Sequence, residues 1–169
     1  MIARLKSQSG TTMIEVAVAS TILLVVMLGL LSMGSVATVY TENHGHLEAR
    51  TTEYAQDKME QLLALAYTNA TSDTVVFPAA ANGGTGLTPG GSVSTATPVA
   101  GYVDWLGNDG GLLGGGATAP ANWFYERVWQ ITSPSPGIKR ITVVATVRAA
   151  VGGELIPKST LVALKASQF

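Results

Sequence analysis

The chain contains no cysteine and only two histidines, and charged residues make up just 12% of its 169 residues. Without cysteine there is no disulfide frame, no lipid-modified cysteine anchor and no thiol chemistry. Both histidines, His44 and His46, lie in the first third, so everything beyond them lacks an imidazole and any Ser-His-Asp or Cys-His catalytic set. No convergent acid, base and nucleophile set appears, so an enzyme is not expected, and no cofactor is called for. The charged share is about half the usual one near 25%. The formal net charge is −1, with no basic patch to neutralise phosphates, so no nucleic-acid partner is expected. Proline is absent from the first 77 residues. The length suits one modest domain plus an anchor.

What fills the proline-free stretch is apolar. Val16–Tyr40 is a run of 25 residues without a formal charge. At about 1.5 Å per residue it spans the roughly 30 Å hydrocarbon core of a bilayer. Arg4 and Lys6 precede it, which places the N-terminus in the cytoplasm and the remainder outside. Loss of those two cations would take the net charge from −1 to −3. An ordinary secretory signal is the alternative, with Ser35-Val36-Ala37 as a small-x-small cleavage site. Against it stand Glu15 at the start of the run and a helical pattern that continues past Ala37.

That pattern runs from Tyr40 to about Tyr67. Leu47, Thr51, Tyr54 or Ala55, Met59, Leu62 and Ala66 recur at three- and four-residue steps, marking one apolar helix face. Glu42, Glu48, Arg50, Glu53, Asp57, Lys58, Glu60 and Gln61 occupy the polar remainder. One helix of roughly 55 residues is predicted, with any bend or melting at Gly29, Ser32 and Gly34, because each glycine costs about 1 kcal/mol relative to alanine.

Residues 68–120 are rich in Gly, Thr, Ala, Ser, Asn and Pro, with 12 of the 19 glycines between Gly83 and Gly116. They read as a long irregular connection with short strands at Thr74–Phe77 and Val99–Trp105. Phe124–Thr132, Lys139–Val151 and Leu155–Lys165 carry β-branched and aromatic residues and read as an antiparallel meander. Ser133–Gly137 links the first pair, and Gly152-Gly153 is a two-residue turn for the second. The meander needs a cover, and the apolar face of residues 47–66 supplies one, giving an α+β fold.

Lys6-Ser7-Gln8-Ser9-Gly10 followed by Thr11-Thr12-Met13-Ile14-Glu15-Val16 resembles the cleavage and methylation signal of type IV pilins and type II secretion pseudopilins. The resemblance implies that a prepilin peptidase cuts between Gly10 and Thr11, that Thr11 becomes N-methylated, and that Glu15 serves assembly. Thr11 departs from the common phenylalanine or methionine. Ala55–Leu62, Tyr125–Ile131 and Lys139–Val143 are similar to PilV-type minor pilins and to the I-type minor pseudopilin. The organisation expected is a basic leader (1–10), a transmembrane and filament-core half-helix (11–40), an amphipathic half (41–67), a variable loop region (68–120) and a sheet (121–169). The implied partners are other pilin subunits, the peptidase, an assembly platform with its motor ATPase, and the inner membrane. The precursor would sit in that membrane with its head in the periplasm, then enter a periplasmic or surface filament. A minor pilin is the reading. A pseudopilin or DNA-uptake subunit, or a single-pass anchored periplasmic binding module, are the alternatives.

Other candidates are weaker. His44 and His46, two apart on a helix, point about 200° from each other and share no metal. Asp104…Asn108-Asp109-Gly110 faintly resembles a calcium loop but lacks EF-hand spacing, and a simple turn is preferred. Asn69-Ala70-Thr71 fits a glycosylation acceptor triplet. Gly114–Gly116 lacks the lysine and helix start of a phosphate loop. Trp105, Trp123 and Trp129 suit either a partner or the core.

Overall fold

The computed structural model describes residues 12–149 and 156–167. The expected leader, Gly10, Thr11 and the Gly152-Gly153 turn lie outside the described residues. Helix α1 (Met13–Ala64) is 52 residues long. The N–H groups of Glu15 and Val16 open it by donating to the Thr12 carbonyl at 3.0 and 3.2 Å. It runs unbroken through Gly29 and Gly34, so no melting occurs there. Leu28, Leu30, Leu31 and Met33 are good helix formers, and two glycines do not outweigh so long a cooperative run. Ser20, Thr21, Ser35, Thr38 and Thr41 each donate a hydroxyl hydrogen bond to the carbonyl four residues back, at 2.7 to 3.0 Å. Their polar groups are therefore satisfied within the helix itself, which suits an apolar surrounding.

The chain divides into two compact units, residues 1–41 and 42–169. Within the second, the amphipathic half of α1 covers one face of an antiparallel sheet. Its strands are β1 (Gly90–Gly91), β2 (Val103–Leu106), β3 (Leu112–Gly114), β4 (Tyr125–Ser135), β5 (Ile138–Val147) and β6 (Lys158–Ala166). The order is β3-β2-β4-β5-β6, with β1 also on β4. Register sets Trp129 beside Val143 and Val143 beside Leu161, and sets Ile131 beside Ile141 and Ile141 beside Ala163. These meet Ala55, Met59 and Leu62 of α1 together with Leu87 and Tyr102. Leu47, Leu106, Tyr125 and Val147 form a second cluster. The expected helix face is the buried one from Leu47 to Leu62, with Lys58 joining it, while Ala66 lies past the helix end and is exposed; the fold is α+β.

Several boundaries differ from expectation. Thr74–Phe77 is not a strand: the Thr74 hydroxyl donates to the Gly101 carbonyl at 3.0 Å and the Val75 N–H to the Asp73 carboxylate at 2.8 Å, so no ladder forms. Val99–Trp105 contributes strand only from Val103, because a turn closed by Tyr102 N–H on the Val99 carbonyl holds Gly101 at φ 81°. Ser133-Pro134-Ser135 belongs to β4 and leaves only Pro136-Gly137 to turn. Pro134 falls where the β4–β5 register shifts between Thr132 and Ser135, the place where its missing N–H is tolerated. The helix ends without a basic residue in its last turn. A strand lysine serves instead, Lys165 donating to the Leu63 carbonyl at 2.6 Å, while Lys139 ties the connection beyond the helix through the Tyr67 and Leu87 carbonyls at 2.7 and 2.8 Å.

Candidate functional site at the helix start and a charged seam in the head

Glu15 sits in the first turn of α1 and is exposed, among Met13, Ile14 and Val16, which are exposed too. A carboxylate there complements the positive end of the helix dipole, worth about 0.3–1 kcal/mol. Of the three residues expected to direct processing and assembly, it is the one that the described residues include. Between Met13 and Tyr40, large apolar side chains from Ile22 to Met33 are each more than half exposed. The helix passes the length and hydropathy criteria for a membrane span, with none of the apolar window buried.

The head contains a charged seam that the sequence reading does not anticipate. Lys58 and Asp104 are both fully buried and lie 2.8 Å apart, Nζ to Oδ2. Lys58 also donates to the Thr74 carbonyl and stands 4.3 Å above the centre of the Trp129 ring. Arg127 adds Nε and Nη2 to the same Asp104 oxygen at 3.0 and 2.8 Å. Its Nη1 reaches Asp57 Oδ2 at 2.6 Å and the Tyr54 carbonyl at 3.3 Å. Two cations and two carboxylates thus clamp α1 to β2 and β4. Burial pulls the Lys58 ammonium below the usual lysine range and pushes the Asp104 carboxyl above its own, each opposed by the other's charge. The seam is closed and its bonds converge on Asp104 Oδ2, while Oδ1 is buried without a hydrogen-bond partner among the described residues; the crossed ion pairs suit holding registry.

Asp104 is therefore a strand residue facing two cations, not a ligand in a loop. Asp109 makes a simple turn instead, accepting from the Gly111 N–H at 3.0 Å. Among the described residues, no group of three or more His, Cys, Asp or Glu side chains converges on a metal position. His44 lies 3.4 Å from Glu48 along the helix, while His46 is exposed. Asn69 organises its own loop, its side-chain oxygen accepting from the N–H groups of Thr71 and Ser72 at 3.2 and 3.0 Å. Trp129 belongs to the core under α1, whereas Trp105 and Trp123 pack edge-to-face at 5.0 Å on the opposite sheet face. The missed seam had a readable sign. Asp104 alternates with Tyr102 and Leu106, and Arg127 with Tyr125 and Trp129, so period two puts both charges on the inward face. Comparison of the chain with protein-family models, curated proteins and solved structures found no match.

Proposed function

We propose that this chain is a structural subunit, a minor pilin, of a type IV pilus or related filament, made as an inner-membrane precursor. The observation that carries the reading is the division of α1. Its first half presents apolar side chains all round, while its second half buries its apolar face under the sheet. Fully burying a Val, Leu, Ile or Met side chain is worth about 1.5–3 kcal/mol, so the first half demands lipid or other helices around it. Transfer from lipid to a bundle of like helices changes little of that burial, which makes the membrane a usable store for subunits. Ala17, Ala19, Ser20, Gly29 and Gly34 permit close approach of neighbouring helices. Peptidase cleavage between Gly10 and Thr11 would create an ammonium near Glu15, and N-methylation of Thr11 would keep it cationic. Pairing of that amine with Glu15, on the same or an offset subunit, would fix the stagger of the assembly.

The test is fractionation. Filaments sheared from cells and purified without detergent should contain this chain. Its complete retention in membranes, with filaments present and lacking it, would favour a single-pass anchored module.

A further inference from the structure

Lys58 and Asp104 bring an amine and a carboxyl group together where neither is easily kept as an ion. Both residues are 0% exposed, and Nζ lies 2.8 Å from Oδ2. The Thr74 carbonyl accepts from Nζ, and the centre of the Trp129 ring stands 4.3 Å away. The two carboxyl oxygens are unequal. Oδ2 accepts from Lys58 and from Arg127 Nε and Nη2, whereas Oδ1 is buried without a partner among the described residues.

Arg127 touches both carboxylates of the seam, but Asp57, 2.6 Å from its Nη1, already matches its charge. Asp57 is about half exposed, so that pair reaches solvent. Lys58 and Asp104 have no such outlet. Passage of one proton from Nζ to the carboxylate turns them into a neutral amine and a neutral acid. Burial favours that form of each, pulling Lys58 down and pushing Asp104 up. It also removes a desolvation cost that an enclosed ion pair only partly recovers. A neutral amine held against a neutral carboxyl in dry surroundings is set for condensation, since well-oriented groups reach effective concentrations of about 10⁵–10⁸ M.

We infer that Lys58 and Asp104 are joined by an isopeptide bond, formed within the folded head and stapling α1 to β2. The Nζ lone pair attacks Asp104 Cγ, and a C–N bond forms. The Cγ–Oδ1 bond breaks, and Oδ1 leaves as water with the carboxyl proton and one amine proton. The balance needs no oxidant, reductant or other reactant. As negative charge builds on Oδ2 in the tetrahedral intermediate, Arg127 stabilises it with the two N–H donors already placed there. Oδ1, the oxygen that nothing holds, is the one that departs. In the product Oδ2 is the amide oxygen, still bonded to Arg127, and the amide N–H has the Thr74 carbonyl as its acceptor. Both enclosed charges are gone, and the orphaned oxygen with them.

The test is peptide mass on the full chain, extracted in detergent, denatured and cut after glutamate. Cuts after Glu53, Glu60 and Glu126 place Lys58 in Tyr54–Glu60 and Asp104 in Gln61–Glu126. The expected result is one species with the summed mass of the two peptides less one water, and fragmentation that locates the link at Lys58 and Asp104. The chain has no cysteine, so no disulfide can join them. Two separate peptides from the native chain would overturn the inference, even where Gln61–Glu126 alone has lost a water by cyclisation at Asp109-Gly110. Lys58→Met and Asp104→Ala should each release the two peptides separately; a joined species in either variant would overturn it too, by placing the link elsewhere. The native chain carries the deciding result whether or not the variants fold.

Discussion

Glu15 is the sole formal charge between Lys6 and Glu42. An ionised carboxylate at bilayer depth costs at least about 2.5–3.5 kcal/mol on insertion scales, so the amine that the proposed cleavage would create at Thr11 would be worth far more there than in water. Glu15→Ala should leave membrane insertion intact and reduce incorporation into filaments, read by immunoblot of membrane and sheared fractions; normal incorporation would contradict the pairing. In the head, Asp104→Ala should strand Lys58 and Arg127 and cost about 3–5 kcal/mol in denaturant unfolding. Asp57→Asn should cost only about 0–1 kcal/mol, because Asp57 is about half exposed and Arg127 keeps Asp104. A comparable loss in the two variants would mean that the seam is not organised around Asp104. Glu15 stands out in the sequence by its isolation in an uncharged run. Lys58 does not, because a lysine among helix carboxylates looks solvated until its strand partners are known.

At the scale of elements, periodicity was informative wherever an element was long enough to repeat. Leu47, Thr51, Ala55, Met59 and Leu62 lie in the buried stripe of α1, and Ile141, Val143, Ala145 and Val147 form the face of β5 turned toward it. β1 and β3 were invisible because their two and three residues, mostly glycine and leucine, become strands only through pairing with β4 and β2. Gly91 shows what such pairing demands. It holds φ at 79°, and a Cβ there would run into the Trp129 carbonyl and the Tyr102 ring. Gly91→Ala should therefore destabilise the head by at least about 1–3 kcal/mol, seen as a lower denaturation midpoint, whereas Gly116→Ala, with open space around its Cβ, should cost much less. Equal effects would show that β1 does not constrain the core.

For the whole molecule, composition and hydropathy already separated an apolar helical rod from a small β-rich head, and the two compact units agree with that division. The burial of Glu126 on the sheet face turned away from α1 was not legible, since strand register alone sets it between Trp105 and Thr146. It has a global consequence. The folded pKa of Glu126 stands above its ordinary value of 4.5, so its contribution to stability is fully present below that pH and is lost as pH rises through about 7. The melting temperature of the head should fall across this window in the native chain and fall less in Glu126→Gln; parallel curves would exclude Glu126 as the cause. The central claim, that α1 is both membrane anchor and filament core, is tested most directly by the N-terminal mass of the mature chain from cells. The account predicts a product beginning at Thr11 and carrying one added methyl group. A product beginning at Thr38, with the apolar half of the helix discarded, would contradict it.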